Sequence, residues 1–180
     1  MIAMSKYLAS FTLGTPGIRA LLASVGLFGI VTALLYPHLP ARMVSHFDRY
    51  GRPDGYSSPA TNITVLIFSS LVFVLVFGGI WYGVRQIDPA TLKLPDTPRW
   101  RDPLAQIAWR NQLADSLLWL AAASVVWMAS MLHSLYLMNL PGATGIGMEF
   151  WLYLLVYSGF MFVWTLMQLA PLFATETSKD

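Results

Sequence analysis

Apolar positions in this chain come in long unbroken runs, not in the short alternations of a soluble domain. Asp54 and Arg85 bracket thirty positions without Asp, Glu, Lys or Arg; Asp115 and Glu149 bracket thirty-three, and Glu149 and Glu176 twenty-six. A helix crosses the hydrocarbon core of a bilayer with about 20 apolar residues, so each gap holds a span. One more run precedes the first polar patch. The pattern predicts an all-α fold, a four-helix transmembrane bundle forming a single integral membrane domain over residues 1–180. The expected spans are about 18–36, 60–84, 116–138 and 150–174, with a cytoplasmic loop at 85–115.

Breakers and caps place the ends. Gly14, Pro16 and Gly17 separate a short leader carrying Lys6 from the first run. That run stops at Tyr36-Pro37-His38-Leu39-Pro40, because proline cannot continue a helix. It lacks a small-residue cleavage site and reads as an uncleaved anchor. Ser58-Pro59 and Asp102-Pro103 each pair a capping side chain with a proline at the first helical position. From Asp102 a helix is expected with Leu104, Ile107 and Ala108 on one face, lying at the interface or running into the third span. Gly78-Gly79 offers a place for a second helix to approach closely.

Composition agrees: the chain is 56% hydrophobic and 11% charged, against about a quarter charged in soluble domains. The sequence pI near 9.0 does not indicate nucleic acid, since a net charge of +2 over separate loops makes no basic face. Lysine and arginine favour the side holding the N-terminus, the 85–115 loop and the tail by eight to three. The positive-inside rule then puts both termini in the cytoplasm. Absence of cysteine excludes disulfides, thiolate metal sites and cysteine nucleophiles.

The dense polar stretch Tyr36 to Pro59 therefore faces outside. Met43 to Phe47 reads as an extended segment with Val44 and His46 on one side. Pro53-Asp54-Gly55 reads as a turn with glycine at positive φ. Together they predict a small hairpin or compact loop seated on the helix ends. Leu39-Pro40, His46-Phe47, Gly51, Pro53-Asp54-Gly55 and Ser58 resemble the signature of the DUF1648 family, over roughly residues 22 to 60. Asp48 stands where that pattern often has asparagine, and Pro59 where it often has lysine. The family's small bacterial membrane proteins include SdpI-type immunity and signalling proteins, longer than this four-span chain. The resemblance implies a membrane location and an immunity-like or signalling role.

Candidate ligand- or partner-binding residues are His46, Phe47, Asp48 and Asp54 in the loop, with His133 and Glu149 at the outer ends of the third and fourth spans. Pro37, Leu39, Pro40, Gly51, Pro53, Gly55 and Ser58 form the structural motif. Histidine titrates near neutral pH, and ionisable groups at membrane depth are functional candidates by default. Against this, aspartates in turns mostly bond the local backbone, and His133 and Glu149 lie near enough to the interface to hydrate. Asp115 reads as structural, paired with Arg85 or Arg110. The histidines and methionines lack metal-ligand spacing, so no metal or cofactor is expected. No Ser/His/Asp set, HExxH helix or P-loop is present. The reading is non-enzymatic: a receptor-like, immunity-like or accessory subunit recognising a peptide, lipid or protein partner through the outer loop. The expected partners are the lipid bilayer and a membrane protein or further copies of the chain, without nucleic acid. The alternatives are a small proton-coupled carrier using His133 and Glu149, or a structural subunit of a larger membrane complex.

Overall fold

Three of the four long helices open on the same device. Thr15, Ser58 and Asp102 each stand immediately before a proline, and each side chain accepts a hydrogen bond from a first-turn N–H: Ile18 at 3.4 Å, Thr61 at 3.1 Å and Leu104 at 2.9 Å. The cap satisfies a donor that the helix leaves unpaired, and the proline has no N–H to lose. The computed structural model describes residues 15–143 and 145–173. In order these form α1 (Pro16–Leu35), a 3₁₀ turn (Tyr36–His38), β1 (Met43–Phe47), β2 (Pro53–Ser57) and α2 (Pro59–Gln86). After a connector with a 3₁₀ turn at Pro89–Thr91 come α3 (Pro98–Arg101), α4 (Pro103–Met138) and α5 (Met148–Phe173). The leader with Lys6, the tail with Glu176 and Lys179, and the end of the fourth span at Ala174 lie outside the described residues.

Four helices are long and apolar enough to cross a membrane, and the chain is a helical four-span bundle. Pro16 starts α1 instead of breaking it, because Thr15 ahead of it supplies the cap. The stretch from Asp102 runs straight into the third span. At 1.5 Å per residue the 36 residues of α4 extend about 54 Å, well beyond a hydrocarbon core of about 30 Å. Its first turns therefore project beyond the core, and residues 85–115 are largely helix instead of loop. The predicted apolar face there is turned outward: Leu104 is 74% exposed, whereas Arg110 is only 7% exposed. The reason is that Arg110 Nη1 donates to Ile87 O at 2.9 Å, drawing that face against the C-terminus of α2, where a cation complements the helix dipole.

α4 is the helix on which the others assemble. The buried cluster joins Phe28 of α1 and Ile63 and Leu66 of α2 to Val125, Met128, Ala129 and Leu132 of α4. Small residues along α4 (Ala114, Ala121, Ala122, Ser124) are all buried and let neighbouring backbones approach closely. One close approach is at Gly17. A Cβ there would stand 2.7 Å from Asp115 O and 2.9 Å from Leu118 Cβ. Asp115 completes the contact, accepting the Gly17 N–H at 3.2 Å on each carboxylate oxygen. Asp115 thus meets a helix N-terminus, while Arg110 bonds Ile87 O and Asn111 Oδ1. By contrast, nothing stands within 4 Å of where a Cβ would be at Gly78 or Gly79.

α5 is held differently. It buries little, and its seam with α4 combines aromatic contacts of Trp119 and Trp127 with Trp164, Phe150 and Tyr157 and a ladder of polar ones. Tyr153 OH pairs with His133 Nδ1 at 3.0 Å and Tyr157 OH with Ser124 Oγ at 3.0 Å. Trp164 Nε1 donates to Ser116 O at 3.4 Å, and Gln168 meets Gln112 and Trp109. The rungs recur at near-helical spacing on one face of α5. Interhelical hydrogen bonds of this kind contribute about 0.6 kcal/mol each in a membrane. An apolar groove of about 740 Å³ remains between α1 and α5 over α4, and another of about 650 Å³ between α1 and α2.

The starts of α1 and α4 and the ends of α2 and α5 meet at one end of the bundle through Gly17–Asp115, Ile87–Arg110 and Gln168–Gln112. The hairpin closes the other end. In the connector, Arg101 Nε donates to Asp96 Oδ1 at 2.9 Å, which holds the exposed Asp96 carboxyl below the usual carboxylate range. Trp100 is buried edge-on against Trp109 at 5.6 Å.

Two substitutions test the α1–α4 contact. Asp115→Ala removes the acceptor of the Gly17 N–H and is expected to cost about 1 kcal/mol. Gly17→Leu forces the helices apart and is expected to cost more, about 1–3 kcal/mol. Thermal unfolding in detergent should rank them in that order.

Candidate functional site: a hairpin seated on the helix ends

The polar stretch folds into a two-stranded antiparallel sheet pairing Met43 with Ser57, Val44 with Tyr56, His46 with Gly55 and Phe47 with Pro53. The reversal is at Asp48 to Arg52, not at Pro53-Asp54-Gly55, which belongs to β2. Asp48 builds the turn. Its N–H donates to Arg52 O at 2.9 Å and its carbonyl accepts from Gly51 N at 3.0 Å. One carboxylate oxygen also accepts from Tyr50 N at 2.8 Å and Arg52 N at 2.9 Å. Gly51 sits at φ +75°, a conformation that glycine adopts without steric penalty. Gly55 serves another purpose, since a Cβ there would come within 2.7 Å of His46 Cβ across the strands.

Val44 and His46 do not share a side. The register shifts between them, so the alternation of a regular strand is lost. Val44 goes down with Met43, which is wholly buried, while the His46 side chain is 72% exposed. Its Nδ1 lies 2.5 Å from Asp54 Oδ1, on a side chain that is 45% exposed. Phe47 is half-buried opposite Pro53.

Two asparagines fix this hairpin to the bundle. Asn139, the C-cap of α4, accepts the Val44 N–H on Oδ1 at 2.8 Å and donates from Nδ2 to Leu135 O at 2.8 Å. Buried Asn62 of α2 donates to Ser58 O at 3.3 Å, with Met43 Sδ at 3.8 Å. Leu39 packs on the main core cluster. At the tip, Gly51 O lies close against Gly145 of the α4–α5 loop. The hairpin therefore lies across the end of α4 towards α5. Ser58 caps α2, Pro37 sits in the 3₁₀ turn after α1, and Pro40 is exposed between that turn and β1.

The remaining candidates have partners of their own. His133 belongs to the α4–α5 seam, bonded to Tyr153 with the two rings edge-on at 6.0 Å. Glu149 lies in the first turn of α5, where a negative charge complements the helix dipole, and its carboxylate is folded back over Gly147. The structure thus joins His46 to Asp54, and His133 to Tyr153, as two separate pairs. Asn139, Asn62 and Met43 were not singled out in the sequence. A polar residue directly after the last apolar position of a span does mark a helix end, but nothing in the sequence names Val44 as its partner.

The matched family now has a geometry to refer to. The family described as "Domain of unknown function (DUF1648)" matches residues 24–72. This stretch is a DUF1648 domain. It begins inside α1, contains the whole hairpin and ends midway along α2, taking in Met43 and Asn62 but not Asn139. The DUF1648 hairpin is thus clamped from outside its own domain, by the third span. Comparison with curated proteins and with solved structures gave no match.

Asn139→Leu leaves the Val44 N–H without its acceptor, and about 1–3 kcal/mol is expected for that unsatisfied donor. The change should appear as faster amide exchange at Val44 and neighbouring hairpin residues, with exchange along α4 unaffected before its last turn. Equal loss of protection throughout the bundle would count against the clamp.

Proposed function

We propose that this chain is a non-enzymatic multi-pass membrane protein that recognises a partner through its DUF1648 hairpin, in a receptor-like, immunity-like or accessory role. The observation that carries the reading is a division of labour within one short segment. Met43 and Val44 are buried and held by Asn62 and Asn139. His46, Asp54, Tyr50 and Tyr56 are displayed on the same hairpin and exposed. A surface already folded before contact loses little conformational entropy on binding. The bundle supplies that order, and the hairpin supplies the contact groups.

In this reading both termini and the connector face the cytoplasm of a bacterial inner membrane and the hairpin faces outward. Lysine and arginine are enriched at the end carrying Arg19, Arg85, Lys93, Arg99 and Arg101. The carrier alternative needs a wetted passage below His133. The buried residues there, Leu132, Ala129, Met128 and Val125, form part of the apolar core, and Ser124 is spent on Leu120 O and Tyr157. That packing favours recognition over transport. Exposed apolar surface on α1, α2 and α5 fits immersion in lipid and leaves room for a membrane-protein partner or further copies.

The test is His46→Ala and Asp54→Ala, scored separately for abundance in the membrane and for partners retained on mild-detergent purification. Normal abundance with loss of partner is the expected result. Loss of abundance alone would mean that the pair only builds the hairpin.

A further inference from the structure

The hairpin from Arg42 to Ser57 carries three arginines and two aspartates, and both aspartates are occupied within it. Asp48 is turned inward on the N–H groups of Tyr50 and Arg52, and Asp54 is paired with His46. Neither the His46–Asp54 contact nor the Arg101–Asp96 ion pair involves Arg42, Arg49 or Arg52, so among the described residues these three arginines have no carboxylate partner. Two of them are held by tyrosines instead. Arg42 lies over the Tyr56 ring at 4.4 Å, and Arg49 lies over the Tyr50 ring at 4.7 Å with Nη2 donating to the Tyr50 hydroxyl at 2.6 Å. All five side chains are exposed.

A guanidinium held over a ring by cation–π attraction keeps N–H donors beyond those already used, and such donors can take a carboxylate on two parallel bonds. Arginine and tyrosine are also among the residues that dominate binding energy at protein interfaces. Their position gives the direction of approach. Val44 is bonded to Asn139 at the end of α4, and Gly51 lies on Gly145 of the next loop. The hairpin therefore covers the end of the bundle, and its outer face looks into the aqueous phase instead of sideways into the lipid headgroups. On the outer side of a membrane protein, where arginines are depleted, three in one short hairpin call for a counterpart.

We infer that the hairpin's partner presents an acidic polypeptide segment, whose carboxylates are taken by the tyrosine-stacked Arg42 and Arg49 with Arg52 alongside. This rests on the recognition reading above and specifies the chemistry of the partner.

The test uses the full chain in nanodiscs of phosphatidylcholine, probed with a fluorescent oligo-glutamate peptide, with oligo-lysine as control. Oligo-glutamate should bind and oligo-lysine should not, and binding should weaken steeply with added salt. Arg42→Gln with Arg49→Gln should weaken it roughly tenfold while the unfolding temperature stays unchanged. Tyr50→Phe, which keeps the ring, should have a smaller effect than Tyr50→Ala. Binding that ignores the arginine substitutions, or that occurs to anionic vesicles and not to the peptide, overturns the inference. The same arginine variants enter the purification experiment beside His46→Ala. If the histidine variant loses its partner and the arginine variants keep it, recognition stands and the acidic segment fails. If every variant keeps its partner, recognition itself fails.

Discussion

Burial of α4 between α1 and α2 is the contact from which the rest of the molecule follows. Inside a bilayer, lipid tails are as apolar as leucine, so helices do not associate merely by hiding apolar surface. Close packing has to supply the attraction, and small residues on α4 together with Gly17 on α1 make it possible. The buried hydroxyls of Ser24, Ser70 and Ser124 bond carbonyls of their own helices, so they enter the interior without unsatisfied groups. With α4 placed, two polar side chains, one within it and one at its C-cap, lie where other elements need them. Asp115 meets the start of α1, and Asn139 meets β1.

The same helix explains why the hairpin is ordered. An isolated two-stranded hairpin is at best marginally stable in water. This one has a shifted register and only five residues per strand, so its own pairing is weak. Three external anchors compensate: Met43 sunk among the helix ends, Leu39 on the core, and the Val44 amide bonded to Asn139. Two come from within the DUF1648 segment and one from the third span. The domain boundary drawn by the family is thus not a mechanical boundary, and the hairpin's order depends on a helix outside it.

α5 stands apart energetically. Aromatic contacts and a polar ladder join it to α4 in place of the small-residue packing seen elsewhere, and an apolar groove is left against α1. That places His133 in a different light from the one its depth implies. A histidine in a span is a candidate for proton or ligand chemistry on general grounds, yet here its Nδ1 is bonded to the Tyr153 hydroxyl and the two rings meet edge-on, as one rung among several.

Long uncharged runs, set by the thickness of a bilayer, were enough to read four spans from the sequence, and Ser58-Pro59 and Asp102-Pro103 marked two helix starts because capping is local. The hairpin was legible as a hairpin, since Asp48, Gly51 and the proline-rich flanks act within a few residues. Its turn was not: Pro53-Asp54-Gly55 has turn chemistry, but the Asp48 carboxylate captures two backbone N–H groups and reverses the chain earlier. Burial is not legible locally either: Leu104 is exposed and Arg110 buried because Arg110 reaches Ile87. Likewise the pairing of Asp115 with Gly17, of Asn139 with Val44 and of His133 with Tyr153 joins residues far apart in the chain. Local pattern fixes where helices and turns form, since their hydrogen bonds close within a few residues. Only the packed bundle decides which polar side chains are anchors and which are left facing outward.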